Sequence, residues 1–117
     1  MDKKDLQKIR HIEEYCNKIN CTIQRFGGFD ALKNDVDYYQ SITMSLLQIG
    51  ELSHNLTEDF KIKSKNEIPW VSIRAVRNMC AHEYGKVDKE EIWEISNTDI
   101  PKLKQFCKKT IDNSERI

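Results

Sequence analysis

Three side chains in the stretch Arg77-Asn78-Met79-Cys80-Ala81-His82-Glu83-Tyr84 can do chemistry on a phosphodiester. Histidine accepts or gives up a proton near neutral pH. A guanidinium binds two phosphate oxygens at once and keeps its charge throughout. Cleavage of RNA without a metal requires a base near the 2′-hydroxyl, an acid near the leaving oxygen and fixed positive charge for the transition state. His82 and Arg77 supply those types, with Asn78 as a neutral amide that can orient the imidazole or bind phosphate. No carboxylate cluster suited to magnesium accompanies them, which speaks against a two-metal nuclease.

The spacing constrains the geometry. On a regular helix a five-residue step turns through about 500°, leaving Arg77 and His82 roughly 140° apart with a rise of about 7.5 Å. Asn78 and His82 share a face, and so do Arg74 and Asn78. Arg77 joins that line only if the last turn unwinds near Ala81 or if two copies of the motif meet across a two-fold axis, and the second is the economical solution. Spacing alone is a weak guide, since an Arg and a His five apart occur in many helices and a His at a helix end also serves as a dipole partner. Tyr84, beside Gly85, reads as ordinary packing on the same basis.

The elements that must carry these residues are helices. Leu6, Ile9, Ile12, Cys16, Ile19, Ile23 and Phe26 recur at steps of three and four, predicting a long one-faced helix that ends at Gly27-Gly28. With Asp30 as cap, the same spacing from Leu32 to Phe60 predicts a second long helix antiparallel to the first. Gly50 lies inside it at a cost of about 1 kcal/mol relative to Ala, and close approach of a neighbouring helix would explain its presence. The polar stretch 61–67 lacks periodicity. A third helix starts near Pro69, buries Trp70, Ile73, Val76 and Cys80, and is stopped by Gly85, placing the motif in its last turn. Asp88 and Glu91 read as the cap and first-turn acid of a fourth helix with Ile92, Trp93 and Ile95 inside. Asn97-Thr98-Asp99 and Pro101 break it, and Leu103, Phe106, Cys107 and Ile111 form a last one. No strand pattern appears, so the expected fold class is all-α: an up-and-down antiparallel bundle of four to five helices in a single domain, 1–117.

The formal net charge of the 117 residues is zero, which gives no general grip on nucleic acid. Its distribution is uneven: residues 27–60 carry −5, whereas 61–86, which hold the motif, carry +4. Cys16, Cys21, Cys80 and Cys107 form no C-x-x-C pair and stand at no zinc-ligand spacing from His11, His54 or His82, so no metal site is expected and buried free thiols are. His11 and His54 read as surface or capping residues. The charged N-terminus and the lack of any long apolar run predict a cytoplasmic protein with no membrane association.

Beyond the octapeptide, Gln48-Ile49-Gly50-Glu51-Leu52, Ile68-Pro69-Trp70 seven residues ahead of Arg77-Asn78, Val87-Asp88 with Ile92-Trp93, and Asp99-Ile100-Pro101-Lys102-Leu103 occur in order. Together with R-x4-H-x-Y they resemble the HepT-like toxins of the HEPN ribonuclease superfamily over nearly the whole chain. The resemblance implies an endoribonuclease toxin of a type II/VII-like toxin–antitoxin system. It would act on RNA as a homodimer without a cofactor, with Arg77 and His82 of both subunits in one cleft and Asn78 and Arg74 supporting. It also implies a minimal nucleotidyltransferase antitoxin as partner, which transfers AMP from ATP to the motif tyrosine, here Tyr84. Glu51 would hold Arg74 or Arg77 by a bidentate pair or else be a solvated acid. The competing reading is a non-catalytic helical module that docks a nucleotide or a nucleotidyltransferase. Such a module would not need Arg77, Asn78 and His82 together.

Overall fold

A computed structural model describes residues 1–82 and 88–116, with His82 described in its backbone alone. The chain runs α1 (Lys3–Phe26), α2 (Phe29–Asn34), α3 (Val36–His54), α4 (Glu58–Ser64), α5 (Trp70–His82), α6 (Lys89–Glu94), a π-helical turn (Ile95–Asp99) and α7 (Ile100–Glu115). The described residues contain no strand. The all-α antiparallel bundle expected from periodicity is the fold observed, with α1, α3, α5 and α7 as its long members.

Two hydrogen bonds show the opposed directions of α1 and α3. At one end, the Tyr38 hydroxyl donates to the carbonyl of Gly27, just past α1 (2.8 Å). At the other, buried Asp5 near the start of α1 accepts from the backbone N–H (3.0 Å) and hydroxyl (2.6 Å) of Thr57, just past α3. The periodic apolar residues meet in one core: Ile9, Ile12, Cys16 and Ile19 of α1, Ile42, Leu46 and Ile49 of α3, and Leu103, Phe106, Cys107 and Ile111 of α7 are buried. Phe60, Trp70 and Phe106 close one end, their ring centroids about 6 Å apart pairwise (6.1, 6.0 and 6.1 Å), and the Trp70 indole N–H donates to Ser64 Oγ (2.9 Å).

The second predicted helix is three. Asp35 is extended (φ −119°, ψ 108°) and caps α3 by accepting from the N–H groups of Asp37 and Tyr38, so the cap falls at Asp35 and not at Asp30. Asn55 ends α3, and Thr57 restarts the chain by accepting from the Phe60 N–H, which makes part of the supposedly aperiodic 61–67 stretch helical. Short polar side chains that bond their own backbone interrupt helices in this way even where apolar spacing runs through.

The predicted break at 97–101 is absent. Pro101 lies in the first turn of α7, and the Ile100 N–H reaches back five residues to the Ile95 carbonyl. This π-type register carries the helix past a residue with no N–H to give. Gly27 does end α1 as expected, at φ 104°, a conformation that favours glycine. Asp88 caps α6 by accepting from the Glu90 N–H. Cys16, Cys80 and Cys107 are buried, but Cys21 is exposed, correcting the expectation for that thiol: it lies on the outer face of α1, off the apolar stripe. Trp70 is core, whereas Trp93 is half-buried against it. Gly85 and Tyr84 lie outside the described residues.

Candidate active site

The site is built where α5 crosses α3 at a glycine. A Cβ placed on Gly50 would stand 2.2 Å from Arg77 Cβ and 2.6 Å from its Cγ, so the two helices approach as closely as they do only because position 50 has no side chain. The stem of Arg77 is thereby held against the α3 backbone, and one residue on, Glu51 meets its head. Arg77 Nε donates to Glu51 Oε1 at 2.6 Å, and Arg77 Nη1 donates to Asn78 Oδ1 at 2.9 Å. The guanidinium is fixed on two sides while its side chain remains 29% exposed. The pair is made through Nε, so the donors along the Nη edge are turned to solvent or to Asn78.

Glu51 is thus a pairing residue and not merely a solvated acid: it holds Arg77 and not Arg74, and through the one Nε–Oε1 bond in place of the expected bidentate pair. The hydrogen bond from Arg77 holds the Glu51 carboxyl below its ordinary range, opposed by partial burial and assisted by the charges of Arg77 and His54. Asn78 spends its carbonyl oxygen on Arg77, which leaves its N–H2 as the end that can be offered to a phosphate.

Asn78 and Arg74 are exposed on α5 as their i, i+4 spacing predicted. The backbone of α5 remains α-helical through Ala81 and His82. The last turn therefore does not unwind near Ala81, and Arg77 stays well round the helix from the position of His82. The His82 side chain and Tyr84 lie outside the described residues. Of the residues expected at the site, the fold brings Glu51, Arg77 and Asn78 into direct contact and leaves Arg74 one turn away toward the start of α5.

Val71 (84% exposed) and Ala75 are exposed on the same side of α5 as Arg74 and Asn78. Sequence periodicity did not flag them, because a stripe reads as buried or exposed only once its neighbours are placed. Among the described residues no group of three or more His, Cys, Asp or Glu is placed to hold a metal ion, and no helix is long and apolar enough to cross a membrane.

A family profile described as "Ribonuclease HepT-like" matches residues 7–110, which include both α3 and the whole of α5. The chain belongs to the HepT-like ribonuclease family. Three proteins of Methanocaldococcus jannaschii are among its relatives. One bearing the name "Putative RNase" is 31% identical over 80 residues, covering 61% of this chain and 72% of its own. Another of that name is 33% identical over 73 residues, covering 62% and 60%. A third, "Gamma-glutamylcyclotransferase and putative RNase", is 27% identical over 113 residues, covering 92% of this chain and half of its own length. No solved structure gave a significant match. The family match covers the helices that carry Glu51, Arg77 and Asn78, so the resemblance read from ordered motifs and the one found by comparison concern the same elements.

Proposed function

We propose that this chain is a metal-independent endoribonuclease, the toxin of a toxin–antitoxin pair, working as a homodimer with Arg77 and His82 of both subunits in one cleft. The observation that carries this reading is the fixed Arg77: a guanidinium anchored by Glu51 and Asn78 yet still reaching solvent is set to receive charge that develops on a phosphate, without reorganising when it does. In the proposed reaction His82 takes the proton from a 2′-hydroxyl. O2′ then attacks phosphorus, the bond from phosphorus to O5′ breaks, and a protonated imidazole returns a proton to O5′. The products are a 2′,3′-cyclic phosphate and a 5′-hydroxyl. Arg77 and the Asn78 amide hold the non-bridging oxygens.

The dimer is supported by geometry. Because α5 stays regular, positions 77 and 82 of one chain lie well apart around the helix, and a two-fold partner supplies a second set of groups to complete the first. Ala75 and Asn78, exposed toward the motif end of α5, give it a face suited to lie at that seam. Silencing is assigned to a minimal nucleotidyltransferase that moves AMP from ATP to Tyr84. A bulky anion two residues from His82 would fill the phosphate site and oppose substrate charge.

Wild type, Arg77→Ala and His82→Ala, each expressed without antitoxin, test the enzyme. Wild type should arrest growth and degrade RNA, and both variants should be harmless; a harmless wild type with intact RNA overturns the reading. Incubation with ATP and the nucleotidyltransferase should add AMP masses to wild type and none to Tyr84→Phe. A solution mass of one chain at micromolar concentration refutes the composite cleft.

A further inference from the structure

A groove of about 520 Å³ opens beside the Glu51–Arg77–Asn78 cluster, between the end of α3, α4 and the first turns of α5. Gly50, the contact point for Arg77, and Arg74, one turn before Asn78 on the exposed side of α5, both line it. The groove thus borders the helix crossing at which Arg77 is held.

Its charged groups are Glu58, Lys61, Lys65 and Arg74, with His54 beside them. Glu58 is neutralised by Lys61 (3.0 Å), whose Nζ also donates to the His54 carbonyl (3.3 Å), so Lys61 ties α4 to the end of α3. Among the described residues no carboxylate pairs with Lys65 or Arg74, and both are exposed. Two uncommitted cations therefore remain after internal pairing. The same groove carries open apolar surface: Ile62 is 61% and Val71 84% exposed, and both line it.

Cations beside open apolar surface match a single-stranded nucleic acid, whose phosphates seek charge and whose unstacked bases leave apolar faces to be covered. A duplex would present phosphates but keep its base faces stacked, leaving Ile62 and Val71 against water. We propose that this groove binds the single-stranded RNA segment flanking the scissile phosphate, with Lys65 and Arg74 each taking one backbone phosphate. The inference rests on the ribonuclease reading for its direction, since the strand leads into the Arg77 site, but its test does not require cleavage.

The test uses the whole chain and a fluorescent, uncleavable 2′-O-methyl oligoribonucleotide, with affinity measured by anisotropy across a salt series. The Lys65→Ala/Arg74→Ala double variant should bind about tenfold more weakly at 0.1 M salt, and its plot of log affinity against log salt should flatten by about 1.4, as expected for two lost contacts to a single strand. Lys102→Ala/Lys108→Ala, on the exposed side of α7, should bind as wild type does. Unchanged affinity and slope in the groove variant overturn the proposal, as does an equal loss in the α7 variant or no binding by wild type. Circular dichroism melts confirm that each variant is folded. A wild type that binds in the groove but cleaves no RNA refutes the ribonuclease reading while upholding the groove; cleavage with unaltered binding by the groove variant does the reverse.

Discussion

Substituting Gly50 by Ala tests the crossing on which the site depends. Inside an otherwise regular helix this change ordinarily stabilises by about 1 kcal/mol, because Ala is the better helix former. Here the new methyl would lie 2.2 Å from Arg77 Cβ, 2.6 Å from its Cγ and 3.2 Å from its Cα. Carbon atoms settle at about 3.5–4.0 Å, so α5 must retreat by roughly 1.3 Å or more at this point. The obstructing atoms belong to the root of the side chain and the backbone, so no rotamer change relieves them. Overpacking of this kind costs about 1–3 kcal/mol, and the rigid neighbour puts this site at the upper end. The net expectation is a loss of about 2 kcal/mol, seen as a fall in Tm of about 8 °C for a chain of this size. Moving Arg77 by about 1 Å relative to Glu51 should also lower RNA cleavage about a hundredfold. Thermal denaturation followed by circular dichroism, with a cleavage assay on the folded variant, provides the check. A Gly50→Ala protein that melts at or above the wild-type temperature and cleaves normally would refute the argument that Arg77 is placed by the missing side chain.

Four further measurements address other features of the site and the fold. Glu51→Gln should leave Tm close to that of wild type, because the pair with Arg77 is open to solvent, yet lower cleavage about tenfold or more by loosening the guanidinium; equal cleavage would refute its positioning role. Since the folded-state pKa of Glu51 is lowered, the ion pair is intact above the ordinary carboxylate range and is lost only as pH falls through the lowered value. A carboxyl carbon titration should therefore shift upward in Arg77→Ala, and identical titrations would contradict the pairing. Burial pushes the Cys16 thiol up to about 12 and Cys80 to about 11, and raises Cys107 too, while Cys21 is exposed, so a thiol reagent at pH 8 should modify one cysteine per folded chain and four after denaturation. Ser96 Oγ is buried in the π-helical turn with no hydrogen-bond partner among the described residues, and Ser96→Ala should leave Tm unchanged or raise it by the equivalent of about 1 kcal/mol; a fall of several degrees would show that the hydroxyl is satisfied in solution.

How far the chain could be read in advance depended on the range of the forces involved. The apolar stripes of α1, α5 and α7 were legible because core burial imposes one period along many residues. The caps at Asp35 and Thr57 were not, because a single side-chain bond to a nearby N–H overrides a continuous stripe, and Asp30 was an equally good candidate by type. Pro101 misled for a related reason: its missing N–H forbids one hydrogen bond, not a helix, and a local π register removes the need for that bond.

By itself the sequence determined the helical class, the residue types able to work on a phosphodiester, and the angular conflict between Arg77 and His82 on one helix. Each follows from composition and from spacing along a single element. Tertiary structure alone decided that Glu51 pairs with Arg77 and not with Arg74, that Gly50 is the point where the helices touch, and that Lys65 and Arg74 share a groove with exposed Ile62 and Val71. Those relations join residues up to 27 positions apart, and no periodicity within one helix encodes which neighbour lies across from it.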